Sequence, residues 1–160
     1  MLWFHNGCIH VAVWSGDSAV LWDYKDMLRS VAQRNHYKID VVLTKSKEAL
    51  LQSIRFFSKK PHLIIIADSL NSYQYRMFLE QLERRRSRAK VFLMGTWKVP
   101  EGYEKMVMAV EHKVKLERYL EREMDWIKRK RLWELIRKGY VTKGTKDNES
   151  IACQQKVDLQ

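Results

Sequence analysis

The sequence predicts an α/β fold, a three-layer sandwich on a parallel sheet with an extended C-terminal helix. Two observations carry this. Residues 63–67, Leu-Ile-Ile-Ile-Ala, form a short β-branched apolar run between Pro61 and Asp68-Ser69, the pattern of a strand covered on both faces. Strand-like segments also begin near residues 9, 38, 62 and 90, at intervals close to the roughly 30 residues of a βαβ unit. Strands alternating with helices imply parallel pairing through right-handed crossovers.

Each element has its own signal. Residues 1–8 hold Asn6-Gly7 between short apolar runs, which reads either as a type I′ hairpin or as a lead-in to the first strand. That strand is residues 9–14. Ser15-Gly16-Asp17-Ser18 turns out of it and offers helix caps. A helix over 19–34 repeats Leu21, Met27, Leu28, Val31 and Ala32 at helical spacing. A second strand at 38–43 precedes a helix at about 46–58, stopped by Pro61. The central strand covers 62–67 and a third helix 72–87. The fourth strand is 90–94, and Met106–Val110 reads as a fifth. The last helix runs from 113 to 138, with Gly139 as its left-handed terminator. Residues 142–160 are polar and read as a flexible tail.

The totals bound the function. A chain of 160 residues with 46% hydrophobic content suits one domain with a real core. No apolar run is long enough to span a bilayer, so no membrane partner is expected. No basic segment precedes an apolar stretch at the N-terminus, so no secretory leader is expected. Cys8 and Cys153 lie far apart and read as unpaired thiols in a reducing cytoplasm. The excess of 30 Lys and Arg over 19 Asp and Glu, net +11, draws polyanions and acidic surfaces. No glycine-rich phosphate loop occurs. The five histidines, His5, His10, His36, His62 and His112, lack ligand spacing, so metal binding by them is not expected.

The order of elements over residues 9–125, with four positions, resembles a receiver domain of the bacterial response-regulator family, a flavodoxin-like fold. In that family the third strand ends in a phospho-accepting Asp, the fourth in Thr or Ser and the fifth in Lys, while acids after the first strand hold Mg²⁺. The matching positions are Asp68, Thr96, Lys113 and Asp17. The chain departs from the pattern: Ala67, directly after Leu63–Ile66, holds the place of the acceptor, Trp14-Ser15 replace the acidic pair, Lys113 is not followed by Pro, and 97–105 is too short for a full helix. Mg²⁺ takes octahedral oxygen ligands, and one acid beside Asp68 makes a thin site. The resemblance therefore implies a degenerate receiver with no cofactor, its fold kept for protein contact. A phospho-accepting receiver with Asp68 as acceptor is the third-ranked reading.

The last helix is the most informative surface. Residues 113–138 carry ten Lys or Arg and five acids. Leu116, Leu120, Met124, Ile127 and Leu135 form an apolar stripe, while Tyr119, Trp126, Trp133 and Tyr140 recur every seven residues on one side. At 1.5 Å per residue the helix spans roughly 39 Å, so its second half is expected to project beyond the sandwich. The leading expectation is a non-catalytic regulatory module that binds a protein partner or forms a homodimer through Tyr119, Trp126, Trp133 and Tyr140. The alternative is nucleic-acid contact through Arg84, Arg85, Arg86 and Arg88, and through Lys128, Arg129, Lys130 and Arg131.

Overall fold

The computed structural model describes residues 8–56, 60–68, 72–85, 87–95 and 98–139. The hairpin or lead-in read ahead of Cys8 and the tail over 142–160 lie outside them. The elements run β1 (Cys8–Trp14), α1 (Ser18–Arg34), β2 (Lys38–Thr44), α2 (Lys47–Phe56), β3 (Leu63–Ile66), α3 (Ser72–Arg84), β4 (Lys90–Met94), β5 (Val107–Val110) and α4 (Lys113–Arg137). The five strands form one parallel sheet in the order β2-β1-β3-β4-β5. The fold is α/β and flavodoxin-like, with a C-terminal helix.

The period-2 alternation of the strands sorts the core into two layers. Ala12, Trp14, Ile64, Ile66, Val91 and Leu93 face one side, where Leu50, Leu51, Tyr75, Phe78, Leu79 and Leu82 of α2 and α3 cover them. Val11, Val13, Leu63, Ile65 and Phe92 face the other side, under Leu21, Leu28 and Val31 of α1 and Leu116, Leu120 and Met124 of α4. The apolar stripe read from α4 is thus the face it buries: Leu116, Leu120, Met124 and Leu135 are buried, and Ile127 is partly so.

Local chemistry sets the ends of α1. Asp17 caps its start, one carboxylate oxygen accepting from the Ala19 amide at 2.9 Å. At its C-terminus the Asn35 side-chain amide donates to the Val31 carbonyl at 2.8 Å, and His36 turns the chain away at φ 57°. β3 is shorter than the expected 62–67, yet the backbone pairing continues past both ends. The His62 amide donates to the His10 carbonyl (2.7 Å) and the Ala67 amide to the Trp14 carbonyl (2.9 Å).

Residues 98–106, between β4 and β5, form turns without a helix, as the shortness of that stretch implies. Val99, Tyr103 and Met106 pack there against the core. The register aligns Trp14 with both Thr44 and Ile66. The turns that follow β1 and β3 are therefore neighbours at the C-terminal edge of the sheet.

α4 departs from its expected course in one respect. It returns antiparallel to the strands, and Arg131 in its second half still reaches the sheet, donating from Nη2 to the carbonyl of Cys8 at 2.8 Å. The Lys128–Arg131 segment lies along the N-terminal edge of the sheet instead of projecting clear of it. A guanidinium donor within reach of a strand-end carbonyl holds it there.

Candidate functional site

At the C-terminal edge, the turn after β1 closes over Asp68. Its Oδ1 accepts from the Ser15 hydroxyl at 2.9 Å and from the Gly16 amide at 2.8 Å, while Oδ2 accepts from the same amide at 2.7 Å. Ser15 is buried, 2% exposed, and its oxygen accepts in turn from the Asp17 amide at 3.2 Å. The Ser15 amide donates to the Thr44 carbonyl at 3.1 Å. The Tyr75 hydroxyl donates to the backbone carbonyl of Asp68 at 3.3 Å. A side chain at Gly16 would place its Cβ 3.3 Å from Asp68 Oδ2, so this position keeps the backbone close to the carboxylate. Asp68 thus clamps the end of β3 to the end of β1.

The structure brings Asp17 and Asp68 to one turn, with Asp17 occupied as the α1 cap. Lys113 goes elsewhere: its ammonium sits 4.8 Å from the ring centre of Tyr24 on α1, and among the described residues no ion pair joins it to Asp68. Thr96 lies outside the described residues. Mg²⁺, which acids hold in the receiver family, does not fit this donor set. Gly16 N–H and Ser15 O–H point at the Asp68 oxygens, and Asp17 Oδ1 faces the Ala19 amide. A cation there would meet hydrogen-bond donors instead of an octahedron of oxygens. Among the described residues no group of three His, Cys, Asp or Glu side chains is placed to hold a metal ion.

The N-terminal edge carries a second cluster. His10 on β1 and His62 ahead of β3 stack with ring centres 5.5 Å apart and planes 11° from parallel. The His10 amide donates to His62 Nδ1 at 3.0 Å, and Arg131 Nη2 lies 2.8 Å from His62 Nε2. His10 Nδ1 lies 3.3 Å from Asp40 Oδ2. A neutral imidazole has one ring lone pair to offer, so the two donors on His62 compete for it, and protonation would remove it. Burial, the Arg131 guanidinium, His10 and Lys130 together push His62 from its ordinary 6.5 down to about 4.

Between those two values the unfolded chain binds a proton that the folded chain refuses, so stability rises with pH there. The expected result is full stability above about pH 6.5 and a decline as pH falls towards about 4. Because the ring is partly exposed, the loss is on the order of 2 kcal/mol. Urea unfolding of the wild type and His62→Gln at near-neutral and mildly acid pH checks this. The acid-induced fall should be smaller in the variant, and equal falls would remove His62 as its source.

Beside this cluster lies an open groove of about 820 Å³ beneath the N-terminal ends of β3, β4 and β5. Lys60 and His62 come from the β3 end, Arg88 and Lys90 from β4, Lys105 from the β5 end, and Trp126, Lys130 and Arg131 from α4. Six cations and two carboxylates, Glu123 and Glu134, line it. The two basic segments that the sequence keeps apart therefore meet on one surface. Part of each is engaged within the fold. Arg85 donates to the Leu51 carbonyl at 2.8 Å, Lys128 sits 4.9 Å from the Tyr37 ring centre, and Arg129 pairs with Asp125 at 2.9 Å. Arg84 is exposed on the last turn of α3, and Arg86 lies outside the described residues.

The sequence reading did not foresee this convergence. The signal was present in the topology, since a helix that follows β5 and returns antiparallel carries its second half to the N-terminal strand ends.

The aromatic side of α4 is divided. Tyr119 packs against the core. Trp126 and Trp133 stand 56% and 58% exposed, bordering a shallow concavity of about 520 Å³ with Arg122, Asp125, Arg129 and Lys130. Tyr140 lies outside the described residues.

No family model and no curated protein matches the chain. Among solved structures, the chain is similar to the crystal structure of a "Putative pilus assembly-related protein" from Burkholderia pseudomallei, at 15% identity and a TM-score of 0.55, covering 76% of this chain and 90% of that one. That likeness is one of fold alone.

Proposed function

We propose that the chain is a non-catalytic, receiver-like interaction module that self-associates through α4. The observation that carries this reading is the pair of exposed indoles, Trp126 and Trp133, seven residues apart on one side of the helix. Its non-catalytic half is supported by Asp68, whose oxygens serve the β1 turn. The same reading places the module in the cytoplasm, where the thiol of Cys8 stays reduced. Among the described residues no helix is long and apolar enough to cross a membrane.

Magnitudes set the strength of the association. Covering the exposed half of an indole removes roughly 100 Å² from water, worth about 2.5 kcal/mol. Two indoles from each of two copies give about 10 kcal/mol, and loss of translational and rotational freedom opposes this by ~4 kcal/mol or more. A dissociation constant of tens of micromolar or weaker follows. Each copy also brings Arg122, Arg129 and Lys130 to the seam, so salt screens a repulsion and tightens the pair. Sedimentation across concentration at low and high salt should show a concentration-dependent mass that grows with salt. Trp126→Ala with Trp133→Ala should leave a monomer whose stability is within about 0.5 kcal/mol of wild type. A mass independent of concentration at every salt would refute self-association.

A further inference from the structure

We propose that the groove beneath the N-terminal ends of β3, β4 and β5 binds single-stranded nucleic acid. Its cations outnumber its carboxylates six to two, and they come from three strand ends and a helix, so the positive charge is distributed along the groove. Adjacent strands lie about 4.8 Å apart, so cations on β3, β4 and β5 spread over roughly 10 Å, a span for consecutive phosphates. Trp126, 56% exposed, forms one wall beside Lys130, whose ammonium lies 5.7 Å from its ring centre. An aromatic face set against a basic track is the chemistry that holds unpaired bases and their backbone together. An acidic peptide would use the cations and leave the indole idle. A duplex would keep its bases stacked on each other and away from Trp126.

The test is anisotropy of a labelled oligothymidylate of roughly twelve nucleotides with the full-length protein. An oligouridylate, a duplex and a polyglutamate of similar length are compared with it, over about 50 to 300 mM salt. The expected result is binding to the single strands that weakens with salt at a log–log slope of about −3, as for four phosphates neutralised. The ratio of oligouridylate to oligothymidylate affinity then tells RNA from DNA.

Arg88→Glu with Lys105→Glu changes two exposed groove residues that do not border the Trp133 concavity. It should weaken binding at least about tenfold. Lys45→Glu with Lys98→Glu makes the same change of charge at exposed positions at the other end of the sheet and should cost less than about threefold. Trp126→Ala should lose about tenfold, and Trp126→Phe should retain most of the affinity. The proposal is overturned by no binding at low salt, by equal losses in the two charge-reversed pairs, or by duplex or polyglutamate binding as tightly as the single strand. Salt separates this site from self-association, because it weakens the one and strengthens the other.

Discussion

Asp68→Ala lowers the stability of the fold by about 3 kcal/mol, with a fall in Tm of roughly 10 °C for a chain of this size. Two donors end on its carboxylate, the Gly16 amide, whose one N–H is shared between both oxygens, and the Ser15 hydroxyl. Bonds to a charged acceptor are about twice as strong as neutral ones. Removing the acceptor also leaves the buried Ser15 hydroxyl without this partner, which adds a desolvation cost. The variant further uncouples β1 from β3 at the edge where their turns meet. Asp68→Asn keeps one carbonyl oxygen as acceptor, so its loss should be near 1 kcal/mol. Urea denaturation of the three proteins measures the series.

The same variants separate a clamp from a phospho-acceptor. A clamp gives a large stability loss in Asp68→Ala and no labelling of the wild type by acetyl phosphate. Labelling that disappears in Asp68→Asn, with stability unchanged, would restore receiver chemistry and sink the clamp.

Arg131→Met is expected to cost about 2 kcal/mol and to release the second half of α4. The guanidinium ties that segment to the sheet edge, reaching the Cys8 carbonyl and His62 at 2.8 Å each. Methionine keeps much of the apolar stem, so the loss reports the polar contacts and the charge. Amide exchange should speed up along residues 128–137 and stay slow in the stretch anchored by Leu116, Leu120 and Met124.

The charge has a second readout. Arg131 is one of the groups that hold His62 down near 4, so in the variant the ring titrates at higher pH, and NMR of its carbon-bound protons follows this. Arg131→Lys keeps the charge but loses the planar fork. It should preserve most of the shift while restoring only part of the stability. Unchanged exchange along 128–137 in Arg131→Met would mean that apolar packing alone seats the helix.

Much of this protein is legible in its sequence, because strands and helices announce themselves through local periodicity. The Leu63–Ile66 run, the repeat of strands every 24–29 residues and the apolar stripe of α4 all depend on which way a side chain points along its own element. That information is contained in a window of a few turns. So the parallel sheet, the helix-free turns over 98–106 and the buried face of the last helix follow from reading along the chain.

The partners of Asp68 and Arg131 do not follow in this way. Asp68 meets Gly16 across 52 residues and Arg131 meets Cys8 across 123. Those encounters depend on the strand order β2-β1-β3-β4-β5, which sets β1 beside β3 and leads α4 back to the N-terminal edge. Composition registers the charge of Arg88, Lys105 and Lys130 but not that they share a groove. Whether Asp68 is a clamp or a reactive group, and whether two basic segments make one surface, are decided by distances between side chains. Only the packed sheet and helices set those distances.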